Sequence, residues 1–357
     1  MRGYWYETAT RIENYGWRIA DARSDGGPRT KANAHTHAAM PDRGDTSYYR
    51  HMKRLMSLAV LSALMLTAGE PHRPKILGVA HIAIFAKDIE QSRAFYRDFL
   101  GFQEPYVLKN PNGSLSMTFF KINDRQYIEL SPEKEPNSDR LNHISIETDD
   151  AEAMRAYLGS KGVRVPEKVS KGRIGNSNFT VKDPEGHTVE IVQYEPDGWT
   201  VREKDKFMPD TRISSRLMHV GIIVTNLEPE MKFYAGTLGF REFWRGSKSG
   251  KTLSWINLKV PDGDDYVEFM LYKEQPSASD RGSAHHLALE VPSANAAVAA
   301  LNARPYRKQY SRPIEIRVGV NRKRQVNLFD PDGTRTELME PVTIDGKPTP
   351  SSTAPVR

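Results

Sequence analysis

The sequence predicts an α+β fold of four βαβββ modules, two in each of two domains. Three observations predict it. The stretch His81–Phe102 recurs without a gap as His219–Phe240, with eight of 22 positions identical. Weaker copies begin at Leu141-Asn-His143 and Ala284-His-His286. The last two strands expected in each module are joined by good turn chemistry: Asn123-Asp124, Asp183-Pro-Glu-Gly186, Pro261-Asp-Gly263 and Asp330-Pro-Asp-Gly333. Internal repetition on this scale fixes architecture ahead of any local propensity.

Residues 1–51 keep no helical or strand period and are read as an unstructured leader. Met52-Lys53-Arg54 is a positive start, Leu55–Leu66 is apolar, and Thr67-Ala68-Gly69 is small. That is the layout of a signal peptide over 52–69, and the apolar run falls short of the roughly 20 residues a spanning helix needs. The expectation is that translation starts at Met52 and that the mature protein is secreted or periplasmic, with no membrane attachment after cleavage.

The first module follows. His81, Ala83 and Phe85 share one strand face, and Ile82 and Ile84 share the other. Asp88 is placed to cap the next helix, Asn226 does so in the copy, and Asp149 or Asp150 and Ser293 do so in the weaker modules. Ile89, Phe95, Tyr96, Phe99 and Leu100 form the helix's apolar stripe, and Gly101 and Gly239 suit a left-handed stop. Met154, Tyr157 and Leu158 line the second helix, and Val298 and Leu301 the fourth. Domain one is expected over 76–195, a linker over 196–215, domain two over 216–341, and a Pro/Ser/Thr tail over 342–357.

Composition narrows the function. The chain has 357 residues and a net charge of +6, but its charges are interspersed. The densest basic cluster, Arg322-Lys323-Arg324, reads as a turn, so no nucleic-acid partner is expected. Without cysteine there are no thiolate metal sites, disulfides or cysteine nucleophiles.

Chemistry concentrates in one pattern. Each module opens with a histidine on its first strand and carries a glutamate on its last: His81 and Glu129, His143 and Glu190, His219 and Glu268, His286 and Glu337. The separations run only from 47 to 51 residues. A single strand glutamate usually meets solvent, and a single strand histidine usually packs. Ten histidines in the whole chain would rarely fill the same slot four times by chance. Two neutral imidazoles and two carboxylates also balance the charge of a divalent ion.

Over residues 76–341 this pattern resembles the vicinal oxygen chelate superfamily, the glyoxalase / bleomycin-resistance / extradiol dioxygenase group. The resemblance implies glyoxalase-like domains in which paired modules curl into cups with curved mixed sheets. It implies one ligand set of His81, Glu129, His143 and Glu190 and a second of His219, Glu268, His286 and Glu337. His286 is chosen over His285 because Glu290 aligns with Glu147, and His285 points the other way. The ion is nickel, zinc, manganese or iron(II). Each set is supplied by one half, exchanged between halves, or exchanged between the chains of a homodimer.

The activity most in keeping with both carboxylates in both halves is that of a glyoxalase-like lyase or isomerase on a small-molecule substrate. There the metal polarises a carbonyl and stabilises an enediolate, with Glu190 and Glu337 as catalytic bases. The alternative is an extradiol-type ring-cleaving dioxygenase using His219, His286 and Glu337. Its acid-base tyrosine slot holds Thr180 or Asn327 here, and its histidine slot falls in Lys171–Arg173 or Val318–Val320. A third reading is a small-molecule binding protein of the bleomycin-resistance kind. His187 has the opposite parity to Glu190 and is read as surface. Tyr127 and Tyr266 share parity with the neighbouring glutamates, either as donors behind the ligands or as packing.

Overall fold

A computed structural model of the chain describes residues 71–356, so the expected leader and signal peptide lie outside the described residues. The four modules form two eight-stranded sheets. Sheet one contains β1 (Ile76–Ala86), β2 (Gln103–Lys109), β3 (Leu115–Lys121), β4 (Tyr127–Pro132), β5 (Leu141–Thr148), β6 (Ser170–Lys171), β7 (Ser177–Lys182) and β8 (Thr188–Gln193). Sheet two contains β9 (Leu217–Val224), β10 (Arg241–Gly246), β11 (Trp255–Lys259), β12 (Tyr266–Leu271), β13 (His286–Glu290), β14 (Ile316–Val318), β15 (Lys323–Phe329) and β16 (Arg335–Thr343).

In sheet one the order is β2-β3-β4-β1-β5-β8-β7-β6, and sheet two repeats it. The first strands of the two modules therefore lie side by side at the centre, antiparallel, each with its own module's last strand parallel on its outer flank. This pairing decides which residues can meet. The His strand and Glu strand of one module are neighbours, and both His strands touch.

Helices cover the convex faces. α1 (Ile89–Ala94) loosens into a π turn over Phe95–Phe99, and α2 is Ala151–Ser160. α3 (Trp199–Arg202) lies between the halves, α4 (Leu227–Met231) loosens likewise over Lys232–Thr237, and α5 is Ala294–Ala303. Phe95, Tyr96, Phe99 and Leu100 are wholly buried against Ile82 and Ile84, as the stripe and the strand parity require. Asp88, Asp150 and Ser293 accept backbone N–H bonds at their helix starts. Gly101 and Gly239 stop the first helix of each half at φ +81° and +79°.

One expected cap fails. The side chain of Asn226 makes no capping bond. The N–H groups of Thr225 and Asn226 are taken by Glu185, which reaches across from the β7–β8 turn of the other half. The junction is pseudo-symmetric: Asp332, in the β15–β16 turn, accepts the N–H of Lys87 at 2.8 Å. Buried bonds from Tyr234 to Asp183 and from Tyr96 to Asp330, at 3.1 and 3.2 Å, complete it.

Two segments do more than their composition suggests. Trp199, in the linker, packs on Tyr106, Phe119 and Tyr127 at the wall of the first cup. The tail runs back along β10, with the N–H of Ser352 on the carbonyl of Arg245. Lys323 enters β15 itself, and the turn ahead of it closes at Arg322, which has a positive φ.

Candidate metal centres

Cross-strand register builds the first centre. Glu129, Ala83 and His143 form one row across β4, β1 and β5, and His81, Ser145 and Glu190 form a row across β1, β5 and β8. Side chains alternate along each strand, so all four candidate ligands rise on the concave face. His81 Nε2 lies 2.9 Å from His143 Nε2, 2.9 Å from Glu190 and 3.9 Å from Glu129. His143 Nε2 is 3.3 Å from Glu190. The same rows recur in sheet two as Glu268–Gly221–His286 and His219–Ala288–Glu337. There the two Nε2 atoms are 3.0 Å apart, and each lies 3.4–4.0 Å from both carboxylates.

All eight sequence-predicted residues thus meet in two sets of four, and each set comes from one half of one chain. Donors around an ion bound at about 2.1 Å stand roughly 3.0–3.4 Å apart in octahedral or tetrahedral geometry. Both sets need only small adjustments to reach it. His286 is already oriented: its Nδ1–H donates to the carbonyl of Ala284 at 2.7 Å, which leaves Nε2 as a lone pair facing the set.

The halves differ in depth at the second module's pair. The His286 and Glu337 side chains keep 0 % and 4 % of their surface, against 14 % for His143 and 12 % for Glu190, while Glu129 and Glu268 are alike at 7 % and 9 %. The register position facing the second histidine explains part of this. Gly221 lets the His286 ring lie against β9, since a Cβ there would stand 1.9 Å from the ring, whereas Ala83 holds that position opposite His143.

The first set floors a cavity of about 190 Å³ whose walls include Leu108, Met117, Phe119 and Ile174, with Arg173 at the rim. Arg173 is held by Ser116 Oγ and the carbonyl of Lys109, which ties the β2–β3 hairpin to the opposite wall. In the second half a cavity of about 330 Å³ lies outside Tyr266, between Phe243, Asn257, Lys323 and the tail, and the ligand set does not line it. Tyr127 and Tyr266 stack on His81 and His219 with ring centroids 4.5 Å apart. The Tyr266 hydroxyl meets Met218 Sδ rather than a ligand, so its part here is packing.

Burial of two carboxylates beside two imidazoles demands a counter-charge, a proton or a cation. In the second half burial and the neighbouring Glu337 push Glu268 up to about 8, and burial raises Glu337 too. Burial, helped by Arg335, holds both histidines well below their ordinary value. That set therefore disfavours charge on both carboxylates at once. In the first half burial raises Glu129; burial acts the same way on Glu190, but His81 and His143 outweigh it and hold Glu190 down. His143 rises against its own burial because Glu190 bonds to it. Glu190 and His143 thus favour each other's charged form.

The reading of His187 needs correction. Its side chain is largely buried, 2.7 Å from Asp183 through Nδ1 and edge-on to His285. The loop carrying it folds against the other half, which strand parity does not reveal. His285, as expected, stays out of the ligand set and bonds Asp139 at 3.1 Å. Phe119, Trp199 and Gly221 were not singled out by sequence; the missing isoleucine or valine side chain at Gly221, in an apolar strand, was the available signal for the last.

Comparison with known proteins bears on this geometry. A family model described as Glyoxalase/Bleomycin resistance protein/Dioxygenase superfamily matches residues 78–191, and a second model of that superfamily matches residues 218–317. Lactoylglutathione lyase of Schizosaccharomyces pombe is 26% identical over 182 residues, 43% of this chain and 57% of that protein, so less than two thirds of that relative is spanned. YaeR, an uncharacterized Escherichia coli protein, is 32% identical over 124 residues, covering 32% of this chain and 95% of its own. A Mn(II)-bound glyoxalase from Novosphingobium aromaticivorans superposes with a TM-score of 0.58 at 17% identity, over 80% of this chain and 89% of that one. An extradiol ring-cleaving dioxygenase from B. fuscum gives 0.58 at 18% identity, over 81% and 77%. At such identities these structures speak for the fold alone.

Proposed function

Because the chain belongs to the glyoxalase/bleomycin resistance protein/dioxygenase superfamily, we propose that it is a divalent-metal-dependent lyase or isomerase of the glyoxalase kind, working through its first half. The observation that carries this is the convergence of His81, Glu129, His143 and Glu190 on the floor of an open cavity, whereas the cavity of the second half is not lined by its set. The donor set suits nickel, zinc, manganese or iron(II). When bound, such an ion would polarise a substrate carbonyl oxygen and acidify the adjacent C–H.

The chain's own residues do the rest. Glu190 lines the cavity and contacts both imidazoles, at 2.9 and 3.3 Å, so it is placed to take a proton from carbon and return it. Glu129, set lower against β3, balances charge. Phe119, Tyr127 and Trp199 keep water from the floor. At about 190 Å³ the cavity is smaller than the roughly 300–1,000 Å³ that encloses a drug-sized ligand, so it takes the reacting fragment and leaves any long tail at the rim. The expected signal peptide extends the proposal: the enzyme works outside the cytoplasm.

Reconstitution with each of the four metals, followed by assay on small 2-oxoaldehyde adducts and on catechols, tests the reading. Isomerase or lyase turnover that falls at least 100-fold in Glu190→Gln, with the ion retained, is the expected result. Catechol cleavage instead would favour the ring-cleaving reading, in which Thr180 and Asn327 occupy slots that need an acid-base side chain. Full turnover in Glu190→Gln would remove that residue as base.

A further inference from the structure

The two junctions between the halves are built to one plan, yet one of them carries an ionisable cluster the other lacks. At the first, Asp330 accepts the N–H of Thr334 and the hydroxyl of Tyr96, and Ser92 stands beside Asp332. At the second, Asp183 accepts the N–H of His187 and the hydroxyl of Tyr234, and Glu230 stands beside Glu185. Thr334 and Ser92 are thus replaced by His187 and Glu230. The first junction closes without either, so docking of the halves does not require them.

A carboxylate oxygen of Asp183, a ring nitrogen of His187 and a carboxylate oxygen of Glu230 lie within 4.8 Å of one another. Glu230 is 0 % exposed, and its Oε2 has no partner at all, while Oε1 accepts the N–H of Glu185 at 2.8 Å. His285 stands edge-on to His187, with Nδ1 tied to Asp139 and a buried Nε2 that also has no partner. A buried carboxylate oxygen left without a donor is an arrangement that a bound cation satisfies.

We propose that Asp183, His187 and Glu230 hold a third divalent ion, of the zinc class, which clamps the second junction of the halves. Two carboxylates and one imidazole neutralise a divalent charge, and the mix of one nitrogen and two oxygens suits zinc. The site is separate from both four-residue sets and stands whether or not those bind metal, so it goes beyond the proposed activity.

The test is zinc content of the full chain after loading with zinc chloride and desalting, with His187→Thr/Glu230→Ser as the comparison. That double variant gives the second junction the side chains with which the first already folds. The proposal expects one zinc fewer per chain and a smaller drop in thermal midpoint on adding chelator than the parent shows. Glu230→Gln, which keeps the shape and the bond from Glu185, serves if the double variant does not fold, and should lose the same ion. An unchanged zinc count in a folded variant would overturn the proposal. So would a loss of no ion in Glu230→Gln, which would mean that Glu230 simply carries a proton.

Discussion

Gly221→Ala is the smallest change that should dismantle one centre and spare the other. An added Cβ would stand 1.9 Å from His286 Cε1, 2.1 Å from Nδ1 and 2.9 Å from Nε2. Carbon atoms pack at about 3.5–4.0 Å, so the ring must retreat by nearly 2 Å, about ten times the tolerance of roughly 0.2 Å in a metal–ligand distance. The retreat also breaks the bond from Nδ1–H to the Ala284 carbonyl. Overpacking of about 1–3 kcal/mol and a lost buried hydrogen bond of about 1 kcal/mol together cost roughly 2–4 kcal/mol. Thermal unfolding should fall by roughly 5–15 °C, and the second set should lose its ion while the first keeps its own. Ala83→Gly, at the matching position, is the control and should leave the first ion in place. An unchanged melting temperature and ion content in Gly221→Ala would refute this account of how the His286 ring is seated.

Other expectations follow from particular contacts. Burial, with Asp332 nearby, lifts the buried Asp330 to about 7 from 3.8, so its folded form favours the proton. That contribution is whole below pH 3.8 and is lost as pH rises to about 7, by at most about 4 kcal/mol at 1.36 kcal/mol per unit; urea titrations of Asp330→Asn between pH 4 and 7 should show a flatter decline than the parent. Trp199→Ala should cost about 3 kcal/mol in denaturant titration and raise KM at the first cavity, with the second ion untouched, because Trp199 packs only on the first cup. Peptide mapping of the protein from its native source should find no peptide from residues 1–51, and recovery of one would end the reading of Met52 as the start.

Much of the fold was legible because repetition multiplies weak signals. A histidine on one apolar strand says little; His81, His143, His219 and His286 in one slot identify the strand, its face and its partner glutamate together. Caps at Asp88, Asp150 and Ser293 were local, and local chemistry is what a sequence displays. Asn226 misled because the residue three positions on, which donates to the cap in the other modules, is Pro229 and has no N–H. His187 misled for a different reason: the alternation of a strand predicts which sheet face a side chain takes, not what the next domain lays over it. The unequal depth of the two sets was hidden too. It depends in part on Ala83 against Gly221, facing the second histidine across the ladder, and such a difference acquires meaning only once the register is known.

The central claim is that the two histidine–glutamate sets are metal centres rather than packed polar residues. Metal content of the mature chain, measured beside His81→Ala and His219→Ala, tests it most directly. The account predicts that each variant loses one ion and that the double variant loses two, with the remaining fold intact. Equal metal content in the parent and both variants would contradict it.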